Sequence, residues 1–305
     1  MPAPISGTVS GMSSLQRIEI AVDDLRTTFG FGVAGNFAGH LEQAGEAVDF
    51  VNVTAAAAMP KGIFPWYVPG ASTQLGAFPI ASDVLAVPAS RGDAPLRIQV
   101  EPELAVSCDV VRDETGAVVR LEPRWVAAFD DCSLRRPNAA KISEKKNWGA
   151  ASKGLAPSAF AVSDLAPDGP LASMRLACFL TRAEETHAYG VDSAVPTYTL
   201  FGEPLLTWLV DRLRHQRGSH GTPLEDVGAL LDASPDATRV LVGVGASRYE
   251  PYGETTFIEP GDEAVVALYD ADVHTPTDVA EHVADRRDGE LTAASVLRRV
   301  ARPLA

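Results

Sequence analysis

Glu101 and Glu103 stand two residues apart in Leu96-Arg97-Ile98-Gln99-Val100-Glu101-Pro102-Glu103-Leu104-Ala105-Val106, where apolar and β-branched residues surround them. On a strand that spacing puts both carboxylates on one face. Two like charges side by side on a largely apolar strand cost free energy unless a cation sits between them. The alternative is a solvent-facing edge with two ordinary surface glutamates, and spacing alone does not choose between them. Pro102 has no N–H to donate to a ladder, which predicts an edge or a bulge here; such places often border active sites. A third acid is at hand where the apolar strand Trp125–Phe129 runs into Asp130-Asp131-Cys132-Ser133. Three carboxylates without His or Cys partners form a hard oxygen set suited to Mg2+, Mn2+ or Ca2+ rather than zinc.

Downstream lies a basic island. Arg135, Arg136, Lys141, Lys145, Lys146 and Lys153 face only Asp131 and Glu144 as acids between Asp131 and Lys153. A solvated face and an anion-binding segment are both open readings. Lys153 is the sharpest candidate, because a desolvated lysine beside a metal site can hold an anionic substrate. Gly30-Phe31-Gly32-Val33-Ala34-Gly35 satisfies GxGxxG. The strand Ile18–Val22 ends well upstream of it and no βαβ rhythm follows, so dinucleotide binding is not expected. GxSxG, HExxH and GxxxxGK[ST] do not occur in the chain, which removes the commonest hydrolase, zincin and P-loop readings.

The elements that must position these residues read as short β-rich segments. They are Arg17–Val22, Leu96–Val100, Leu104–Val111, Ala117–Leu121, Trp125–Phe129, Arg239–Val244 and Ala264–Tyr269, with turn signals such as Asp113-Glu114-Thr115-Gly116 between them. One helix is predicted from about Phe37 to Ala47. Another is predicted from about Glu203 to Gln216, with Leu205, Leu206, Trp208, Leu209 and Leu213 on its apolar stripe. Thr275–Ala305 reads as charged helix and tail. Strands broken by few helices predict an α+β, β-rich fold rather than a doubly wound sheet.

The 305 residues, 46% of them apolar, can bury a substantial core. Lys plus Arg number 26 and Asp plus Glu 40, a net charge of −14. That balance argues against nucleic acid and against an anionic membrane surface as partners. Cys108, Cys132 and Cys178 are odd in number and widely spaced, so free thiols in a reducing cytosol are expected. No basic segment followed by an apolar run opens the chain, and no run reaches the roughly 18 apolar residues of a membrane span. A cytoplasmic location is therefore expected.

The order of these motifs resembles the fumarylacetoacetate hydrolase superfamily. Gly32-Val33-Ala34-Gly35-Asn36-Phe37-Ala38-Gly39-His40 is similar to that family's segment leading to a catalytic histidine. Val100-Glu101-Pro102-Glu103-Leu104-Ala105 is similar to its paired-glutamate metal strand, and Phe129-Asp130-Asp131-Cys132-Ser133-Leu134-Arg135 to the segment with its third acidic ligand. Trp148–Gly154 is similar to the stretch ending in its active-site lysine, and Phe257-Ile258-Glu259-Pro260-Gly261-Asp262 to a late turn. The resemblance spans roughly residues 15 to 275 and implies a single catalytic domain with a mixed β-sandwich roll, usually dimeric. It leaves residues 276–305 as a C-terminal helical extension.

The resemblance further implies Mg2+ or Mn2+ held by Glu101, Glu103 and Asp131, with His40 transferring protons and Lys153 holding an anionic oxygen. The substrate class it implies is a small 2-oxo or 1,3-dicarbonyl acid, cleaved, decarboxylated or tautomerised through an enolate. Three departures stand out. Many members carry glutamate three residues after the histidine, where this chain has Gln43, and Glu46 substitutes only if the helix ends early. The gap from Asp131 to Lys153 is long, and a late threonine is replaced at best by Ser247. A catalytically silent binding protein with the same fold is the alternative reading.

Overall fold

The structure, a computed structural model, describes residues 15–50, 53, 55–56, 59–89, 96–136, 139–218 and 221–304, apart from the side chain of Asp49. The chain begins with β1 (Arg17–Glu19), β2 (Phe29–Ala34), α1 (His40–Gln43), β3 (Gly62–Tyr67), β4 (Ile80–Ala81) and β5 (Val84–Val87). Next come β6 (Ile98–Gln99), β7 (Pro102–Arg112), β8 (Val118–Asp130), β9 (Ser133–Leu134) and α2 (Ser143–Lys146). The middle holds β10 (Lys153–Leu155), β11 (Ser158–Ala161), β12 (Met174–Arg182), β13 (Glu185–Ala194), α3 (Glu203–His215) and α4 (Val227–Asp232). The last part runs through β14 (Arg239–Gly243), α5 (Pro251–Thr255), β15 (Glu263–Asp270), α6 (Pro276–Ala284) and β16 (Ala294–Pro303).

Among the described residues these strands build a nine-stranded sheet with the order β1-β11-β8-β7-β14-β2-β3, joined by β10 and β4. A second sheet has the order β13-β12-β15-β16-β5, and β6 pairs with β9 alone. The two larger sheets pack face to face. Leu104 and Val106 of β7 and Val126 and Ala128 of β8 share one core with Leu176, Leu180, Val266, Leu268 and Leu297 of the second sheet. The intervening Ala105, Trp125, Ala127 and Phe129 belong to a separate core on the outer face, with Phe64 and Trp66. That is the period-two alternation of a sheet covered on both sides. It decides which way the acids point.

Several sequence expectations are corrected by the tertiary structure. The segments Ala117–Leu121 and Trp125–Phe129 are one strand, β8, paired with β7 across register shifts that absorb the break. Pro102 does not mark an edge, because β7 lies between β8 and β14. It is the first residue of its strand, where a missing N–H costs least. The helix expected over Phe37–Ala47 is only His40–Gln43. Gly45 adopts φ 69° and the Glu46 N–H returns to the Leu41 carbonyl at 2.9 Å, which closes the helix early. The C-terminal stretch is not helix and tail. After α6 it forms β16, inserted between β15 and β5. The expected helix at Glu203 is present as α3, with Leu205, Leu206, Leu209 and Leu213 buried.

Gly30 and Gly32 of the GxGxxG run lie inside β2, where they make room for aromatic rings, and Gly35 turns the chain just past the strand at φ 75°. A Cβ on Gly30 would sit 2.2 Å from Trp66, and one on Gly32 would sit 2.5 Å from Phe64. Close packing accounts for the first two glycines of that pattern and a left-handed backbone for the third. Cys108, Cys132 and Cys178 are buried free thiols.

Candidate metal centre

Strand parity assembles the acids. Glu101 and Glu103 share a face with Ala105, and Asp131, two residues past Phe129, joins them on it. The ligand oxygens of Glu101, Glu103 and Asp131 lie within 4.8 Å of one another, and all three side chains are buried. The Asp131 N–H donates to the Glu101 carbonyl at 3.0 Å, which extends the β7–β8 ladder to the site. Asp130 points the opposite way, between the sheets, and accepts from Arg299 of β16 at 2.7 Å.

Glu103 accepts the Gly245 N–H at 3.0 Å and packs so closely that a Cβ on Gly243 would lie 2.4 Å from its carboxylate. It forms no ion pair among the described residues, and burial followed by the Asp131 charge pushes its carboxyl well above the usual range. The donor set fits a divalent cation. The ligands are all hard oxygens, one has no fixed counter-charge, and neither Asp131 carboxylate oxygen accepts a well-formed hydrogen bond.

Arg135, Lys145, Lys146 and Lys153 of the basic island turn inward, while Arg136 is exposed. The Lys146 ammonium lies 2.5 Å from Glu101 Oε2 and 2.7 Å from Asp131 Oδ2. The Lys153 ammonium lies 3.1 Å from Asp131 Oδ1 and donates to the carbonyls of Asp131 and Cys132 at 2.9 and 2.6 Å. Arg135 reaches Glu101 and Glu46 at 2.8 Å each, Gln99 at 2.6 Å and the Tyr249 hydroxyl at 2.8 Å. Burial opposes ionisation of Glu101, yet Lys146 and then Arg135 overcome it and hold that carboxyl well below the ordinary range. Burial lowers Lys153, with the Asp131 charge opposing. Lys141 instead donates to the carbonyls of Thr222 and Leu224 at 2.9 and 2.6 Å.

His40 is buried at the head of α1, and its Nδ1 lies 2.8 Å from the Ser247 carbonyl. A carbonyl only accepts, so Nδ1 carries the proton and Nε2 keeps its lone pair. Burial lowers the His40 pKa, with Glu101 and Glu46 pulling against it. Gln43 holds the same segment from below: its amide donates to the Tyr249 carbonyl at 3.2 Å and accepts the Tyr249 N–H at 2.9 Å. Because α1 stops early, Glu46 comes to the site after all, where it accepts from Arg135 and Lys145 at 2.8 and 2.9 Å.

His40, Glu46, Glu101, Glu103, Lys146 and Phe64 line a cavity of about 20 Å³. Space of that size holds a single water or ion. Sequence reasoning missed Tyr249, had Arg135 and Lys146 only as members of the basic island, and admitted Glu46 only if the helix ended early. The one available signal was the cluster of cations closely following a candidate acidic ligand.

Residues 46–300 match the sequence pattern of a family described as a family of unknown function, DUF5718. The chain belongs to that family. No curated protein matches it in sequence. Among solved structures, this DUF5718 chain is similar to Cg1458, determined with an inhibitor, at a TM-score of 0.50 and 13% identity over 91% of this chain and 77% of that one. It is also similar to a yeast fumarylacetoacetate hydrolase family protein, at a TM-score of 0.44 and 11% identity over 93% of this chain and 98% of that one. Fumarylpyruvate hydrolase from Pseudomonas aeruginosa, determined with Mn2+ and pyruvate, is similar at a TM-score of 0.39 and 14% identity over 98% and 100% of the two chains. These likenesses concern the fold. The DUF5718 chain has a β-rich α+β fold, which it shares with Cg1458.

Proposed function

We propose that the chain is a divalent-metal-dependent enzyme acting on a small 2-oxo or 1,3-dicarbonyl acid. The observation that carries the reading is the convergence of three buried carboxylates, Glu101, Glu103 and Asp131, within 4.8 Å. Glu101, Glu103 and Asp131 would hold Mg2+ or Mn2+, which when bound supplies Lewis-acid polarisation of a chelating oxo acid. Lys153, expected to hold an anionic oxygen, directs its ammonium at Asp131 and Cys132, and in this reading it positions Asp131. His40 moves the proton. Its Nδ1 is tied to the Ser247 carbonyl, burial keeps the ring neutral, and Nε2 is the free base. Arg135 keeps Glu46 and Glu101 ionised beside that ring. The reaction within this class is C–C hydrolysis, decarboxylation or tautomerisation, in a cytoplasmic homodimer.

Mn2+ binding tests the reading. Wild type should bind the ion and Glu103→Ala should not; equal affinity in the two removes the ligand assignment. Oxaloacetate, acylpyruvates and 2-hydroxydienoates with Mn2+ then test activity, which should vanish in His40→Ala. A second reading, a catalytically silent binding protein, draws support from the Lys146 ammonium among the ligands and from the cavity of about 20 Å³. Turnover lost in His40→Ala defeats it.

A further inference from the structure

Three fixed cations already touch the acidic triad: Arg135 contacts Glu101, Lys146 contacts Glu101 and Asp131, and Lys153 contacts Asp131. All of these ion pairs fall on Glu101 and Asp131, and Glu103 has none among the described residues. A divalent ion entering among the same oxygens adds two positive charges to a buried cluster that already holds three cations, which is costly in a low-dielectric interior. Displacing one of the three cations relieves that cost. Arg135 is held by Gln99, Glu46, Glu101 and Tyr249. Lys153 sits on β10 with three contacts to Asp131 and Cys132 and no exposed surface. Lys146 is also buried and held, by Glu101 Oε2, Asp131 Oδ2 and the Asp131 carbonyl, but it differs from both in its place. It ends the four-residue helix α2, and of the three it alone lines the cavity shared with His40 and Glu46.

We propose that Lys146 is a built-in rival of the divalent ion, clamping Glu101 to Asp131 in the metal-free protein and swinging into the His40–Glu46 cavity when the ion enters. The inference rests on the metal reading above. The displaced ammonium keeps partners there. The Phe64 ring is already 5.2 Å from its nitrogen, and Glu46 lines the same cavity. The rivalry makes metal binding weaker than the three carboxylates alone would give. It also turns a lysine toward the space an anionic substrate has to enter.

The test is Mn2+ affinity, read by electron paramagnetic resonance of the free ion, in wild type, Lys146→Met, Lys146→Gln and Glu103→Ala. Removing the ammonium should tighten Mn2+ binding by about tenfold or more. It should also lower the metal-free melting temperature, which leaves Glu101 and Asp131 facing each other, and enlarge the rise on adding Mn2+. Equal or weaker binding in both Lys146 variants, with Glu103→Ala still abolishing it, overturns the proposal and leaves the metal reading standing. No binding in any of the proteins overturns both. If neither Lys146 variant folds, wild type carries the test through reductive methylation mapped by mass spectrometry. Lys146 labelling should rise several-fold with Mn2+, and unchanged protection overturns the proposal.

Discussion

Gln43 and Tyr249 exchange two hydrogen bonds, the glutamine amide donating to the tyrosine carbonyl at 3.2 Å and accepting its N–H at 2.9 Å. Two residues earlier, the Ser247 carbonyl holds His40 Nδ1. The amide therefore fixes the segment that orients the histidine, a task that requires a donor and an acceptor on one side chain. Glutamine at position 43 meets both requirements, and glutamate would meet only one.

Gln43→Glu should cost about 1–3 kcal/mol of stability, because a carboxylate cannot donate to the Tyr249 carbonyl and leaves it facing negative charge. Glu254, 3.4 Å from the Gln43 amide nitrogen, adds repulsion. Urea unfolding of the two proteins measures the loss, and coincident midpoints refute the clamp.

Gly30→Ala should destabilise by about 1–3 kcal/mol or more, since its Cβ would lie 2.2 Å from the fully buried Trp66 ring. Trp66→Leu in the same chain should recover part of that loss. A Gly30→Ala protein as stable as wild type contradicts the packing account of the glycine run.

Asp130 and Arg299 form a buried pair at 2.7 Å between the two sheets. Arg299→Met should cost about 3–5 kcal/mol by stranding the carboxylate. The double variant with Asp130→Asn should lose less than the two single losses added together. Strict additivity in thermal unfolding argues against direct coupling.

Burial pushes the Glu225 carboxyl up to about 7 from an ordinary 4.5, against opposing hydrogen bonds from Ser143. The folded value lies above the unfolded one, so the contribution is fully present below pH 4.5 and is lost as pH rises through about 7. Relative to Glu225→Gln, wild type should lose on the order of 2–3 kcal/mol between pH 4 and pH 8. A pH-independent difference between the two in chemical denaturation sinks this assignment.

The core of the candidate site was legible in the primary structure because it lies on strands. Glu101 and Glu103 are two apart, and a strand of any register puts such a pair on one face. The length of α1 was not legible. The run from Phe37 to Ala47 suits a helix, and only the left-handed backbone at Gly45 ends it in time to bring Glu46 inward. β16 was hidden by its charge. Arg298 and Arg299 look solvated in sequence, yet Arg299 is buried against Asp130 and Arg298 pairs with Asp288 and Glu263.

The sequence by itself determined the class of fold, the paired glutamates and the hard-oxygen character of the donors. Those are set by residue type and by spacings of a few positions. Which way the acids of the Asp130-Asp131 pair face, and where the basic island goes, only the tertiary structure decided. Adjacent strand residues point to opposite faces. One acid therefore meets Arg299 across the sandwich, while the other meets Glu101 and Glu103 outside it. The lysines follow the same logic. A run of cations is solvated in isolation, and it becomes buried counter-charge only when folding brings unpaired carboxylates within about 3 Å of it.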